Sequence, residues 1–237
     1  MSGPKKLVVA ATTATAAPAL AHECPPPLDA ALRLVLVTTP DMNSSKARVQ
    51  LFERASAVAP WRPLSAGTPA MVGMNGLAWG FTFLRYKRAG ESEKVEGDKR
   101  TPAGFFKLGP SFGFAKVKRA NYVTIEPGET VCVEDPASPA YNTITRRSKL
   151  APDTKADNMA DTSLFRNGLF VDYPSERETR RGSCIFIHIW ESPDTATAGC
   201  VALPEPRVKA LQTFSAPGAV IGIVPETARE RFSRCLP

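Results

Sequence analysis

The 237-residue sequence predicts a mainly β domain with a few short helices. Short apolar runs alternate with turn-forming residues along most of the chain, which is typical of β-structure. Proline is frequent, with 22 residues, and this frequency disfavours long helices. Near the C-terminus, by contrast, one segment carries apolar residues at helical spacing.

The first half of the chain predicts a hairpin and two further strands. Residues 31–39 and 47–55 are apolar at strand spacing and flank a Pro-Asp-Met-Asn-Ser-Ser turn, so they predict the hairpin. Residues 61–80 are rich in glycine and proline and lead into a strand that we expect to continue through residues 81–90. Residues 104–108 predict a strand that leaves a charged loop.

The second half predicts more strands and one helix. The strands are expected at residues 122–126, 131–135, 169–173, 185–190 and 219–225. Residues 146–163 are polar without clear periodicity and indicate a surface loop with room for one helical turn. Val208, Leu211 and Phe214 recur at three-residue steps, which predicts a helix of about three turns.

The N-terminus has the pattern of a secretory signal peptide. Lys5 and Lys6 precede an uncharged stretch of apolar and small residues, and Ala19-Leu20-Ala21 has the form of a cleavage site. The alternative is an Ala/Thr-rich disordered tail. No later run is long enough to cross a bilayer, so we expect an exported protein of the periplasm or cell envelope without a transmembrane segment.

The net charge of the chain indicates which classes of binding partner to expect. Removal of residues 1–21 takes away two lysines and no acidic residue, which lowers the formal charge from +7 to +5. This modest basic excess suits an anionic cell-surface polymer or an acidic peptide. The sequence has neither a basic and aromatic RNA motif nor a DNA-binding helix signature, and it therefore predicts no nucleic-acid partner.

The cysteine count points to one unpaired thiol. Five cysteines follow the predicted cleavage site, and an odd number in an exported protein leaves at least one unpaired or paired between chains. Cys24 and Cys235 lie near the two ends, and Cys132 and Cys184 lie in strand-like runs. If these four form disulfides, Cys200 is left over, although four cysteines allow three connectivities.

One histidine is available as a general base beside that cysteine. Of the two histidines, His22 adjoins the predicted leader, and His188 lies twelve positions before Cys200. A cysteine attacks a carbonyl as thiolate, and imidazole is able to take its proton. The amides of Gly199 and Cys200 would face a developing oxyanion. A helix that begins a few residues later would place its positive end near the sulfur. The alternative to these catalytic roles is that Cys200 is a buried core residue and His188 is a structural residue.

Two motifs in this order are characteristic of one enzyme family. Residues 94–106 read KVEGDKRTPAGFF, and residues 197–201 read TAGCV. With His188, they resemble the Gly-Asp-x-x-Thr-Pro-x-Gly loop, the histidine and the Ser/Thr-x-Gly-Cys turn of the L,D-transpeptidase catalytic domain family. Three further segments resemble one subgroup of that family: residues 132–136, 141–142 and 182–188. The resemblance covers about residues 72–225.

The resemblance implies a β-sandwich-like catalytic domain that needs no cofactor. It implies a thioester on Cys200 as nucleophile, His188 as the base, an oxyanion site at the backbone of Gly199 and Cys200, and a turn shaped by Ala198 and Thr197, whose hydroxyl bonds within the loop. The implied donor is a peptidoglycan stem peptide, cleaved after the L-centre of diaminopimelate with release of D-alanine. The acceptor is another stem's amine, a lipoprotein lysine or water.

The expected domains combine the signal-peptide pattern, the predicted hairpin and this resemblance. They are a signal peptide (1–21), a β-hairpin extension packed on the catalytic domain (22–70), the catalytic domain (71–226) and a C-terminal tail (227–237). The expected role is in cell-wall biogenesis and cell shape. The alternatives are an L,D-carboxypeptidase or amidase hydrolase on the same site, and a non-catalytic wall-binding domain.

Two positions depart from the family pattern, and no metal site is expected. Ala202 stands where many members carry an arginine, and the nearest candidates for a substitute carboxylate clamp are Arg180, Arg181 and Arg207. Ile189 stands where a glycine is usual. One histidine and scattered cysteines do not form a zinc cluster.

Overall fold

The computed structural model describes residues 24–216 and 218–237. The predicted signal peptide, residues 1–21, lies outside these residues. Within the described chain, no helix has the length and apolar character required to cross a membrane.

The described chain is built mainly from short strands. The strands are β1 (Arg33–Thr39), β2 (Lys46–Glu53), β3 (Arg62–Pro63), β4 (Thr68–Met71), β5 (Leu77–Trp79), β6 (Thr101–Gly113), β7 (Tyr122–Thr124), β8 (Thr130–Val133), β9 (Ile144–Arg146), β10 (Ala156–Asn158), β11 (Asn167–Asp172), β12 (Phe186–Ile189), β13 (Val201–Leu203) and β14 (Val220–Pro225). One α-helix, α1, spans Glu205–Phe214, and 3₁₀ helices span Phe81–Tyr86, Arg147–Lys149, Ser163–Arg166 and Glu226–Phe232. The predicted fold class is confirmed.

The main sheet closes on itself. Its strands follow the order β1-β14-β6-β11-β12-β13-β4-β2, and β2 pairs again with β1. Two neighbouring pairs in this ring, β1–β14 and β12–β13, are parallel. Strands β3, β5 and β7 attach to β2 and β6 outside the ring. Because a closed ring pairs both edges of each member, these eight strands have no free edge.

The core fills with apolar side chains from strands around this sheet. Val35, Phe105, Ile187 and Ile223 are each at most 1% exposed. Burial of a side chain of this size stabilises the fold by roughly 1.5 to 3 kcal/mol. The predicted helix is confirmed as α1, and its apolar side packs on the same core through Val208 and Leu211, while Phe214 is partly buried against it.

The predicted hairpin of β1 and β2 is confirmed and belongs to the closed sheet. β1 pairs with β14 and β2 pairs with β4, so strands on both sides of the expected boundary at residue 70 share one sheet. The C-terminal segment packs through Phe232 in the core and through a disulfide between Cys24 and Cys235. The division into residues 22–70, 71–226 and 227–237 stays a prediction.

Two segments differ from the sequence prediction. The strand expected through residues 81–90 is instead the 3₁₀ helix Phe81–Tyr86, because the chain turns at Gly80 and inserts Phe83 into the core. The ring of Phe83 lies 5.6 Å from that of Phe106, centroid to centroid. The loop expected at 146–163 contains β10, which is polar and so lacks the apolar alternation that would predict a strand.

A second, smaller sheet lies beside the closed one. It consists of β8 between β9 and β10, all antiparallel. A disulfide joins Cys132 of β8 to Cys184, two residues before β12. This bond ties the small sheet to the strand that carries His188.

Candidate active site

His188 and Cys200 lie on neighbouring parallel strands and point to the same side. His188 pairs with Ala202 in the register of β12 and β13, and Cys200 lies two residues before Ala202. Because side chains two residues apart share a face of a strand, both side chains project together. They line one cavity of about 580 Å³. The residues identified from sequence as nucleophile and base therefore meet at one site.

Cys200 is the free cysteine, because the other four form the two disulfides. Its Sγ accepts the N–H of Phe186 at 3.4 Å and donates to the carbonyl oxygen of Cys184 at 3.7 Å. Burial raises the pKa of the Cys200 thiol to about 12, against a smaller lowering by the Phe186 N–H and by Lys94. The resting sulfur is thus a thiol, turned towards Cys184.

The orientation of His188 leaves one ring nitrogen free. Nδ1 lies 2.8 Å from the carbonyl oxygen of Ile189, which only accepts, so we assign the proton to Nδ1 and leave Nε2 as the acceptor. The ring packs edge-on against Phe165, with centroids 5.3 Å apart. Burial lowers the pKa of His188, so the imidazole is neutral at pH 7. No hydrogen bond joins it to Cys200 in the described chain.

The turn before Cys200 is held by the Thr197 hydroxyl. Thr197 Oγ1 donates to the Cys200 carbonyl oxygen at 2.7 Å and accepts the Gly199 N–H at 3.1 Å, whereas Ala198 is exposed. Gly199 has φ +148°, and a Cβ there would lie 3.2 Å from the Arg100 carbonyl oxygen. The Gly199 N–H is therefore already bonded. The Cys200 N–H has no acceptor among the described residues, so it is the open donor of the predicted oxyanion pair.

The Gly-Asp-Lys-Arg-Thr-Pro loop supports the same turn from a distant part of the chain. Thr101 Oγ1 donates to the Cys200 carbonyl oxygen at 3.1 Å. Asp98 Oδ1 accepts the Arg100 N–H at 2.9 Å and a proton of Lys94 Nζ at 2.6 Å. Lys94 is only 3% exposed and lines the cavity. The motif at residues 94–106 includes Lys94 and Asp98, but sequence reasoning gave neither residue a role at the site.

Two carboxyl groups of the small sheet also line the cavity. Glu134 follows β8, and Asp157 lies in β10. Burial raises the pKa of Glu134 to about 7, and the neighbouring Asp157 carboxyl adds to that rise. Sequence reasoning gave neither residue a role: Glu134 lies in the segment 132–136 that resembles a subgroup of the family, and Asp157 lies in the segment expected to be a surface loop.

The three arginines considered as a carboxylate clamp have different surroundings. Arg180 lines the cavity. Arg181 is paired with Glu93 at 3.1 Å. Arg207 lines a separate small pocket between β2 and α1. Of the three, Arg180 is the one that the fold brings to the site.

Helix α1 is not positioned to act on the sulfur as expected. It begins at Glu205, and the strand Val201–Leu203 separates it from Cys200. Three strand residues span roughly 10 Å, whereas the helix dipole acts within about one turn of the terminus. In the described residues, no group of three or more His, Cys, Asp or Glu side chains is arranged to hold a metal ion.

Comparison with known proteins identifies the fold that carries this site. The L,D-transpeptidase catalytic domain family matches residues 42–223, which is more than three quarters of the chain. The match runs from the turn before β2 into β14 and contains every site residue described above. Searches of curated proteins and of solved structures find no match. The chain therefore belongs to the L,D-transpeptidase catalytic domain family.

Proposed function

We propose that the chain is an exported cysteine L,D-transpeptidase that acts on peptidoglycan stem peptides through a thioester on Cys200. Membership of the family supports L,D-transpeptidase-type chemistry on peptidoglycan-related substrates. The observation that carries the finer proposal is that the free thiol and the buried imidazole of His188 line one cavity from adjacent strands. Two disulfides support export, because such bonds persist in oxidising compartments.

Activation begins from a neutral pair. The raised pKa of Cys200 and the lowered pKa of His188 both favour thiol and imidazole over thiolate and imidazolium. The proton therefore moves from Sγ to Nε2 only as a substrate carbonyl approaches, after Sγ turns away from the Cys184 carbonyl. The Nδ1–H bond to Ile189 stabilises the imidazolium while it exists.

Acylation then forms a thioester and releases D-alanine. The sulfur attacks the carbonyl carbon at the L-centre of diaminopimelate, and the open Cys200 N–H donates to the oxyanion. Collapse of this intermediate breaks the C–N bond to D-alanine, and His188 Nε2 returns its proton to the leaving amine. The hydroxyl of Thr197 holds the turn in place throughout.

The second half-reaction decides between transferase and hydrolase. An amine from another stem or from a lipoprotein lysine attacks the thioester carbon, His188 takes a proton from the amine, and the C–S bond breaks. Sulfur then recovers a proton from His188. If water attacks in place of the amine, the enzyme is an L,D-carboxypeptidase. If the stem that it hydrolyses is cross-linked, the enzyme is an amidase that releases the cross-linked partner.

Intact-mass measurement with a carbapenem tests the nucleophile. The folded protein should gain one acyl adduct per chain, and the Cys200→Ser variant should gain none under the same conditions. If the folded wild-type protein takes no adduct, the thiol is structural and the wall-binding alternative holds. Incubation with muropeptides then separates the two enzymes, since new dimers indicate transfer and trimmed monomers indicate hydrolysis.

A further inference from the structure

One face of the small sheet is turned towards the reacting pair. Asp157 is directly opposite Cys132 in the register of β10 and β8. The pairing continues beyond β8, because the Glu134 N–H donates to the Lys155 carbonyl oxygen at 3.2 Å. Side-chain alternation therefore places Cys132, Glu134 and Asp157 on the same face. The disulfide to Cys184 fixes this face beside the strand that leads to His188.

The two carboxyl groups on that face lack N–H donors. No N–H of the described chain donates to Glu134 or to the exposed Asp157, and the two carboxyl groups hydrogen-bond to each other. The ammonium of Lys155 lies 3.9 Å from Glu134 Oε2, and its side chain is 77% exposed, so this ion pair is weak. By contrast, Glu91 is held by Arg231 and Trp79, and the Arg231 hydrogen bond leads in lowering its pKa to about 2.

The cavity that these carboxyl groups enter contains a further unused polar atom. His188 is only 8% exposed, and its Nε2 has no hydrogen-bond partner in the described chain while the ring lines the cavity. An acceptor that is open to the cavity, on a side chain that is otherwise buried, indicates that another molecule completes the cavity. A group bound by Glu134 and Asp157 would therefore belong to a molecule that also reaches the base.

We propose that Glu134 and Asp157 form a subsite for a primary ammonium group of the peptide substrate. An ammonium offers three N–H donors to a pair of carboxyl groups that otherwise have none, and its charge compensates theirs. The subsite rests on the proposed function, because that function supplies two such groups: the side-chain ammonium of the donor stem and the amine of the acceptor. Its two carboxyl groups would select substrates with a free amine over acylated ones.

The donor arm of the test compares a soluble stem tetrapeptide with the same peptide acetylated on its side-chain amine. D-Alanine release is measured for the wild type, for the double variant Glu134→Gln/Asp157→Asn and for the control Asp153→Asn, an exposed residue outside the cavity. If the donor ammonium occupies the subsite, the wild type and the control prefer the free peptide by about tenfold in kcat/KM. The double variant should lose this preference, so that its kcat/KM is the same for the two peptides.

The acceptor arm uses the acetylated donor with an added stem amine. If the acceptor occupies the subsite, the ratio of transfer to hydrolysis falls about tenfold in the double variant and stays at the wild-type value in Asp153→Asn. D-Alanine release without added amine is measured for each protein as its own reference. Equal behaviour of the double variant and the wild type in both arms would overturn the proposal.

Acylation of Cys200 by a penem without a basic side chain separates a failure of the subsite proposal from an inactive enzyme and from a variant whose cavity is disrupted. A wild-type protein that takes no penem adduct and releases no D-alanine contradicts the proposed function itself. If the double variant loses the penem adduct, Glu134→Gln and Asp157→Asn are measured singly. Loss of the adduct in both would show that the carboxyl groups maintain the cavity rather than bind an ammonium, which also overturns the proposal.

Discussion

The two sides of the cavity differ in chemistry and in origin. The reactive side, formed by β12 and the turn 197–200, carries a thiol and an imidazole that are both neutral at rest. The charged side comes from the Gly-Asp loop and the small sheet and carries Lys94, Glu96, Lys99, Glu134, Lys155 and Asp157. The reactive side comes from one short stretch of the chain, residues 186–200, whereas the charged side is assembled from segments far apart in sequence. This difference suggests that the first determines the reaction and the second the substrate.

Substitution of His188 by alanine should have the largest effect, and it acts on the reactive side alone. Without Nε2 the cavity lacks the proposed base for the Cys200 thiol, so D-alanine release should fall by about 10²- to 10⁴-fold. The KM for the stem peptide should change little, because the charged side is intact. Steady-state kinetics on the soluble tetrapeptide measures both constants. A change confined to KM would assign His188 to binding instead.

Removal of the disulfide between Cys132 and Cys184 tests the link between the two sides. The double variant Cys132→Ser/Cys184→Ser frees a loop of 52 residues and should lower the free energy of unfolding by about 2 to 5 kcal/mol. The KM for the stem peptide should also rise, because the small sheet is no longer fixed beside β12. Denaturant unfolding and D-alanine release measure the two effects.

The matched control removes the other disulfide. Cys24→Ser/Cys235→Ser affects the chain ends, away from the cavity, and should lower stability without raising KM. If both double variants raise KM equally, the Cys132–Cys184 bond has no special role in positioning the charged side.

The difference between the two sides also explains how much of this protein could be predicted from sequence. The strands around His188 and the helix after Cys200 follow from apolar periodicity, and the two catalytic candidates follow from the scarcity of histidine and the odd number of cysteines. The charged side could not be predicted in this way. Strand β10 is polar, and Glu134 and Asp157 reach the cavity only through a strand register and a disulfide between distant residues.

The backbone donors of the predicted oxyanion site also could not be fully predicted from the motif. The sequence predicted backbone donors at both Gly199 and Cys200. The Gly199 N–H is engaged by Thr197 Oγ1 because the turn folds the hydroxyl back onto it. Motif spacing identifies which residues form the turn, but the partner of each amide depends on the side-chain geometry inside that turn.

Substitution of Gly199 by alanine should have a smaller effect and tests the turn on the reactive side. Its φ of +148° is unfavourable for an L-residue, and the new Cβ would press against the Arg100 carbonyl oxygen at 3.2 Å. We expect a loss of about 1 to 3 kcal/mol in the free energy of unfolding, with reduced acylation of Cys200. Gly128→Ala is the control, because Gly128 also has positive φ (+72°) but a Cβ there would meet no atom within 4 Å. Equal losses in the two variants would show that backbone strain, rather than the contact with Arg100, accounts for the cost.

The smallest expected effect is a pH dependence that belongs to the charged side. Burial and Asp157 raise the pKa of Glu134 to about 7, with Glu96 adding to the rise and Lys155 opposing it. In the unfolded chain this carboxyl has its usual lower pKa. Between the two values the folded protein holds one more proton than the unfolded chain, so stability falls as pH rises from about 5 to about 7.

The Glu134→Gln variant should lack this component of the pH dependence. Urea unfolding of the wild type and the variant at pH 5 and at pH 8 measures it. The variant should gain stability relative to the wild type at pH 8, where the wild-type protein contains two adjacent negative charges. The control Asp153→Asn should follow the wild-type curve at both pH values. If Glu134→Gln also follows the wild-type curve, Glu134 is already ionised at pH 5. In that case the two carboxyl groups do not share a proton, and the charged side carries its full negative charge from pH 5 to pH 8.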